Sequence, residues 1–131
     1  ALGPIRKGPA IEQSIRELER IKKYDLPRMA LRDDVQQYNM EWKQAIENYN
    51  MIDIAEACCK ASLMRTETRG SHYRSDYPTR DDENWLCNIV VKKTKSGMKL
   101  TKTPIVTSEL SPEQIKKMLK TGWKKEYAKE V

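Results

Sequence analysis

The residue types that could bind a ligand or take part in a reaction are concentrated in one stretch, residues 65–85, which reads RTETRGSHYRSDYPTRDDENW. It contains four arginines, five carboxylates and the only histidine of the chain: Arg65, Arg69, Arg74, Arg80, Glu67, Asp76, Asp81, Asp82, Glu83 and His72. A guanidinium group can bind a carboxylate ligand, such as a dicarboxylate, through two parallel hydrogen bonds. The neighbouring carboxylates would compete for the same donors. The pattern therefore favours a folded network of internal ion pairs over a substrate-binding site.

His72 is the only side chain whose charge can change near neutral pH without a large pKa shift. It could donate a hydrogen bond to a bound anion, or it could complete the arginine–carboxylate network, and we favour the second interpretation. Ser71 is adjacent in sequence, and adjacent side chains rarely adopt the geometry of a nucleophile and its base. We therefore predict no catalytic residue in this stretch.

Metal, dinucleotide and disulfide chemistry are not indicated elsewhere. The three cysteines, Cys58, Cys59 and Cys87, are odd in number and lack the spacing of a disulfide framework, which fits a reducing compartment. Cys58 and Cys59 are adjacent on a predicted helix, so their side chains diverge by about 100°. The five glycines are too dispersed for a G-x-G-x-x-G motif. We predict no metal ligand and no cofactor-binding residue.

A first helix is predicted over residues 9–24. Pro9 suits its first turn, and Leu26 followed by Pro27 ends it. Its apolar side chains recur at helical spacing and are Ile11, Ile15, Leu18 and Ile21. Charged side chains occupy the opposite face, as expected of a helix that packs against one neighbour.

A second, longer helix is predicted over residues 34–68, with Asp33 or Asp34 as its cap and Gly70 as its stop. Such a helix would be about 50 Å long, and the first helix would cover only half of it. The apolar stripe that predicts it consists of Val35, Tyr38, Trp42, Ala45, Tyr49, Ile52, Cys59 and Leu63. The alternative is a break at Asn48 and Asn50. An uncovered apolar stripe would favour a homo-oligomer.

The last third of the chain has a different pattern and carries the positive charge. Residues 89–131 hold 11 Lys and 4 Glu, a net +7, whereas the whole chain is +6. Two strands are predicted, one from Leu86 and one over residues 98–106, joined by a turn at residues 95–97. Ser111 and Gln114 then form a capping box at the start of a short helix. We therefore divide the chain into residues 1–85 and residues 86–131, a basic hairpin with a helical tail.

The stretch 65–85 resembles a signature near the C-terminus of succinate dehydrogenase and fumarate reductase flavoprotein subunits. That signature reads R-x-E-S-R-G-A-H-x-R-x-D-[FY]-P-x-R-D-D-x-N-W. The match is ungapped and departs from it only at Thr68, for the usual Ser, and at Ser71, for the usual Ala. The matching positions are Arg65, Glu67, Arg69, Gly70, His72, Arg74, Asp76, Tyr77, Pro78, Arg80, Asp81, Asp82, Asn84 and Trp85. Weaker similarity covers residues 3–18, and none is evident after Lys93.

The resemblance implies a mainly α fold, a three-helix bundle like a spectrin repeat, followed here by the β-hairpin and the short C-terminal helix. Residues 1–6 would be the last turn of the first helix of the bundle, so that most of this helix would be missing. The substrate and flavin residues of the family lie upstream of the matching region. The chain would then hold no cofactor itself, and FAD would belong to the parent protein.

In that family, a flavoprotein interconverts succinate and fumarate and passes electrons to an iron–sulfur partner. The resemblance implies that the chain packs against the flavin-binding domain of the parent chain, and also against the iron–sulfur subunit. Residues 65–85 would be the docking segment, with Arg65, Arg69, His72, Arg74, Asp76, Arg80, Asp82 and Trp85 as its docking residues. We expect a cytoplasmic location, or a peripheral one on the inner face of a membrane as part of a complex.

Three alternatives stay open. The adenylylsulfate reductase α subunit and L-aspartate oxidase carry similar but shorter versions of the signature, so the substrate class is not settled by it. The chain could instead be a non-enzymatic binding module that uses its basic tail. Nucleic acid is not favoured as its partner, because dispersed lysines without arginine or aromatic clustering are weak evidence for such a site. The third alternative is a free-standing helical scaffold, which would have to be a homo-oligomer.

Overall fold

The computed structural model describes residues 2–32, 35–106 and 111–121. In chain order the elements are β1 (Ile5–Arg6), α1 (Gly8–Arg20), a π-helical turn (Ile21–Asp25), a 3₁₀ turn (Leu26–Arg28), α2 (Met40–Met64), β2 (Tyr73–Arg74), α3 (Asp82–Trp85), β3 (Cys87–Thr94), β4 (Gly97–Pro104) and α4 (Pro112–Thr121). The predicted class, mainly α with a hairpin and a short C-terminal helix, is confirmed. None of the helices in these ranges is both long and apolar enough to cross a membrane.

α1 confirms the first predicted helix and shows how that helix ends. Pro9 lies in its first turn, and Ile11 on its apolar face is fully buried. The helix then widens into the π-helical turn and tightens into the 3₁₀ turn, where Pro27 has no backbone N–H to continue the α-helical pattern. Leu26 is buried in this last turn. The apolar residues of this segment therefore continue to contribute to the core after the regular α-helix has ended.

α2 is the predicted long helix, but it is shorter at both ends. It has 25 residues and is about 38 Å long. Its cap is Asn39, whose Oδ1 accepts a hydrogen bond of 3.0 Å from the backbone N–H of Trp42. The predicted caps, Asp33 and Asp34, lie outside the described residues. Gly70 does not stop the helix, because the backbone is already extended at Arg65; Gly70 has a φ of 56° and lies in a later turn.

α1 packs along the C-terminal part of α2, with Gly8 near Leu63 and, in the turn after α1, Lys22 paired with Glu56; the N-terminal part of α2 extends beyond it. The predicted apolar stripe is therefore only partly buried. Cys59 is buried, whereas Trp42 and Tyr49 are exposed, although the Tyr49 hydroxyl donates to the carbonyl of Leu26 at 3.0 Å. The helix is continuous through residues 48–50, so the alternative of a break there is not found. Self-association through the exposed part of α2 stays a prediction.

The N-terminal residues correct one expectation. Residues 2–6 are not the last turn of a helix, because Ile5–Arg6 forms a strand that pairs in parallel with Tyr73–Arg74. The backbone N–H of Ser75 donates to the carbonyl of Arg6 at 2.9 Å and extends this pairing. Contacts with residues 73–75, far away in sequence, therefore determine the conformation of residues 5–6. Local sequence similarity could not reveal this pairing.

The C-terminal elements follow the predicted pattern. β3 and β4 pair antiparallel, with Thr94 opposite Gly97, so that Lys95 and Ser96 form a two-residue turn. Gly97 has a φ of 113°, which favours glycine there. α4 begins with the predicted capping box, because the Gln114 backbone N–H donates to Ser111 Oγ at 3.2 Å and the Ser111 N–H donates to Gln114 Oε1 at 2.7 Å.

Candidate functional site

Arg74 and Asp76 join the C-terminal end of α2 to the N-terminal end of α1. Arg74 Nε and Nη2 donate to the two carboxylate oxygens of Asp76, each at 2.8 Å. Asp76 Oδ2 also accepts a hydrogen bond of 2.9 Å from the backbone N–H of Gly8, the first residue of α1. Arg74 Nη1 donates to carbonyl oxygens at the end of α2, those of Ser62 (2.7 Å), Leu63 (3.2 Å) and Arg65 (3.1 Å).

The charges of this pair match the two helix ends that they contact. A helix carries partial negative charge at its C-terminus and partial positive charge at its N-terminus, where Arg74 and Asp76 lie respectively. Arg74 is only 2% exposed. Hydrogen bonds from Arg74 hold the pKa of the Asp76 carboxyl far below its usual value. Gly8 suits this close approach, because a Cβ there would lie 3.0 Å from Asp76 Oδ2, nearer than most Cβ contacts.

Glu67 is the centre of a second cluster. Its side chain is 0% exposed and forms ion pairs with Arg65 at 2.5 Å and with Arg69 at 2.7 Å. The backbone N–H of Asp81 donates to its other oxygen at 2.9 Å. Burial alone would raise the pKa of the Glu67 carboxyl, but the donors from Arg69, Asp81 and Arg65 together hold that pKa below its usual value. Glu67 is therefore an ionised, fully hydrogen-bonded carboxylate.

The second cluster continues to the surface through Asp82. Asp82 Oδ1 accepts hydrogen bonds from Arg69 at 2.6 Å and from Arg80 at 2.7 Å. The Arg80 side chain is 50% exposed, so the network ends there at solvent. Asp81 caps the adjoining α3 by accepting from the backbone N–H of Asn84 at 3.0 Å.

Trp85 and Arg65 connect the network to the hairpin. Arg65 donates to the carbonyls of Trp85 at 2.9 Å and of Cys87, in β3, at 2.7 Å. The buried Trp85 ring contacts two cations, the Arg65 guanidinium at 5.3 Å from the ring centroid and Lys102 Nζ of β4 at 3.4 Å from it. The Trp85 indole N–H donates to Thr66 Oγ1 at 3.1 Å. Trp85 thus anchors the stretch and the hairpin to each other.

His72 closes the network on the side of β1. Its Nδ1 lies 2.6 Å from Arg6 Nη1, and its Nε2 lies 3.3 Å from the carbonyl oxygen of Arg65. Because Arg6 can only donate, a neutral imidazole that accepts at Nδ1 and donates from Nε2 satisfies both contacts. Burial, together with the positive charges of Arg6, Arg74 and Arg65, lowers the pKa of His72. His72 is therefore a neutral structural side chain at physiological pH.

This arrangement leaves little capacity for chemistry inside the network. Among the described residues, every buried side-chain nitrogen and oxygen has a hydrogen-bond partner. Arg65, Arg69 and Arg74 already donate to carboxylates and to main-chain carbonyls, so a dicarboxylate would have to displace these acceptors. No group of three His, Cys, Asp or Glu side chains in the described ranges could hold a metal ion.

The eight docking residues predicted from the sequence are close together in the structure, but they belong to different parts of the network. Arg74 and Asp76 bridge the helix ends, and four others belong to the Glu67 cluster and its continuation through Asp82, namely Arg65, Arg69, Asp82 and Arg80. Trp85 connects this cluster to the hairpin, and His72 connects it to β1. Sequence reasoning missed Arg6 and Gly8 as members, because they are separated from their partners by more than 60 positions. From the sequence, Glu67 was named as one of several carboxylates, but its central role was not identified. That role is evident only from the structure, where Glu67 is buried between Arg65 and Arg69.

Comparison with protein families gives one match over most of the chain. The family described as fumarate reductase flavoprotein C-term matches residues 1–118. Among curated proteins, the fumarate reductase flavoprotein subunit of Mycobacterium tuberculosis is 32% identical over 97 residues, 74% of this chain and 16% of the relative. That of Helicobacter pylori is 34% identical over 85 residues, 65% of this chain and 12% of the relative. The chain thus spans less than a fifth of the length of these relatives.

Solved structures show a similar fold. The E. coli quinol fumarate reductase chain has a TM-score of 0.76 at 23% identity, covering 84% of this chain and 19% of that one. A chain of the Mycobacterium smegmatis Sdh1 complex in the apo form has a TM-score of 0.69 at 27% identity, covering 98% of this chain and 23% of that one.

Proposed function

We propose, on the premise that the chain belongs to the family of fumarate reductase flavoprotein C-terminal domains, that it acts as the assembly domain of an FAD-dependent enzyme that interconverts succinate and fumarate. In this role it packs against the flavin-binding domain and takes no part in hydride transfer. FAD and the substrate residues belong to the remainder of the parent protein. The names of the relatives, fumarate reductase and succinate dehydrogenase flavoprotein subunits, favour this substrate class over adenylylsulfate reductase or L-aspartate oxidase.

The main support for this proposal is that the arginines of residues 65–85 donate hydrogen bonds to carboxylates and carbonyls within the chain itself. Arg74 joins α1 to α2, and Arg65 joins the end of α2 to β3. A stretch whose donors are already satisfied serves as a rigid connector better than as a ligand site, because any ligand must compete with partners that are already in place. A rigid, precisely shaped surface is what a neighbouring domain requires for stable packing.

The outer side of the same stretch supplies the docking surface in this proposal. Tyr73 and Tyr77 are 40% and 43% exposed, and Arg80 has a half-exposed side chain. Tyrosine and arginine are the residue types that contribute most often to binding energy at protein interfaces. The buried members of the network would hold this surface in shape, and Arg80 would contact the flavin-binding domain directly. An iron–sulfur subunit is the second partner that we propose, and with it a peripheral position on the cytoplasmic face of a membrane complex.

The first test is the size and flavin content of the native polypeptide. An antibody against this chain should detect, in extract from the source cells, a polypeptide several times larger that co-purifies with flavin. A polypeptide of the size of this chain that carries no flavin would refute the proposal.

A second test separates assembly from chemistry in the parent flavoprotein. Arg69→Met and His72→Gln should lower flavin retention and the yield of assembled complex, and leave the KM for succinate nearly unchanged. Arg16→Met is the matched control, since Arg16 is exposed on α1 and should have no effect on either quantity. Normal assembly combined with a lost substrate affinity would contradict the assigned role.

A further inference from the structure

The hairpin carries a concentration of positive charge that the arginine network does not use. Residues 86–106 contain no Asp or Glu and five lysines, Lys92, Lys93, Lys95, Lys99 and Lys102. The four lysines of the strands divide between the two faces of the hairpin, because side chains alternate along a strand, and Lys95 lies in the turn.

The inward lysines have partners within the domain. Lys102 lies over the Trp85 ring and donates to the carbonyl of Asn84 at 3.3 Å. Lys93 lies in a groove of about 520 Å³ between the hairpin and α2, which is also lined by Asp53. These two side chains therefore contribute to packing the hairpin against the rest of the chain.

The other three lysines have no such partner among the described residues. Lys92 and Lys99 are directly opposite each other in the antiparallel pair, and Lys95 lies in the adjoining turn. All three are exposed, and none forms an ion pair with a carboxylate of the described residues. Like charges at directly opposed positions of a sheet lower its stability. Local arrangements that disfavour folding are expected mainly at functional or strained sites.

We propose that Lys92, Lys95 and Lys99 form a docking surface for an acidic protein segment. Three ammonium groups on an extended two-stranded ribbon match a row of carboxylates in charge. Such exposed charges act mainly on the rate of association and on its salt dependence. This surface is separate from the docking segment 65–85, and its test does not depend on the activity of a parent enzyme.

Two other polyanions fit the surface less well. Nucleic acid recognition favours arginine and exposed aromatic side chains, and residues 86–106 contain neither. Lipid surfaces recruit basic segments of about four to eight charges, commonly beside apolar side chains that insert. The exposed apolar residues here, Ile105 and Val106, follow the far end of β4, roughly 25 Å from the lysine-bearing turn.

The test measures binding of the full chain to a short fluorescent peptide of alternating glutamate and glycine. Changing all three lysines to Gln (Lys92→Gln, Lys95→Gln, Lys99→Gln) should weaken binding at low salt by about tenfold, the sum of three exposed ion pairs. The control carries the same change of net charge at exposed positions away from the hairpin, with Lys7→Gln, Arg16→Gln and Arg28→Gln. It should weaken binding by less than about twofold. Circular dichroism verifies that both variants fold.

Equal weakening in the two variants would overturn the proposal, because binding would then depend on net charge alone. Tighter binding to vesicles of phosphatidylserine and phosphatidylcholine, or to a DNA duplex, with loss in the hairpin variant only, would also overturn it in favour of those partners. Selective loss of peptide binding in the hairpin variant, suppressed by salt in the unmodified chain, would support it.

Discussion

Replacing Arg74 with methionine tests whether the Arg74–Asp76 pair holds the two helices together. Methionine retains much of the volume and flexibility of the arginine stem but donates no hydrogen bond. The change leaves the carbonyl groups at the end of α2 without their donor, and it leaves the Asp76 carboxylate with the Gly8 N–H as its remaining main-chain partner from α1. Everything else in the network stays in place.

The expected loss follows from the burial of the two partners. Removing one member of a buried ion pair costs about 3–5 kcal/mol, because the other charge is left uncompensated. The Asp76 side chain is 31% exposed, so water can replace part of the lost interaction, and we expect the lower end of the range, about 3 kcal/mol. Domains of this size are stable by roughly 5–15 kcal/mol, so the variant should be markedly destabilised.

Urea unfolding followed by circular dichroism measures this loss as a change in the free energy of unfolding. Arg80→Met is the matched control, because Arg80 is half exposed and its ion pair should contribute less than about 1 kcal/mol. Arg74→Lys should fall between the unmodified chain and Arg74→Met, since lysine keeps the charge but cannot bind both carboxylate oxygens in parallel.

The double variant with Asp76→Asn measures the coupling directly. If the two side chains act as one unit, the loss in the double variant should be smaller than the sum of the two single losses by about 1–2 kcal/mol. Additive losses, or a loss for Arg74→Met no greater than that for Arg80→Met, would show that the pair does not connect the helices as described.

Two further predictions concern neighbouring positions. The pKa of His72 is lower in the folded chain than the unfolded value of about 6.5, so its contribution to stability is present above that pH and is lost as the pH falls from 7.5 towards 5. The urea midpoint should fall over this interval, and less so in His72→Gln, which lacks the titrating group that accepts from Arg6; an unchanged pH dependence in the variant would contradict this. Gly8→Ala should lower the free energy of unfolding by about 1 kcal/mol or more, because the new methyl group would approach Asp76 Oδ2 at 3.0 Å. Gly3→Ala is its control, with nothing within 4 Å of the added carbon, and equal thermal midpoints for the two variants would refute the crowding at Gly8.

Local signals in the sequence were sufficient for the elements whose ends depend on adjacent residues. The capping box of Ser111 and Gln114 is found as predicted. The turn predicted over residues 95–97 is found as a two-residue turn at Lys95 and Ser96, with Gly97 already in β4. The apolar period also identified the long helix correctly as a single continuous element.

Elements whose conformation depends on distant residues could not be predicted in this way. β1 exists because Arg6 pairs with the chain near Ser75, and α2 ends early where Arg74 supplies donors to its last carbonyls. The family resemblance identified the arginine-rich stretch, but residue types alone do not show which side chains point inward. The burial of Glu67 and the exposure of Arg80 are properties of the folded chain.

The hydrogen bond from Gly8 to Asp76 spans 68 positions of sequence, and this has a consequence for synthesis of the chain. During translation, α1 and α2 emerge from the ribosome before the residues that connect their ends. Closing so long a loop is entropically costly, and the contact forms only after its second partner is available. The two helices should therefore remain loosely associated until residue 76 has emerged from the ribosome. Chaperones that bind nascent apolar helices could bind the chain during this interval.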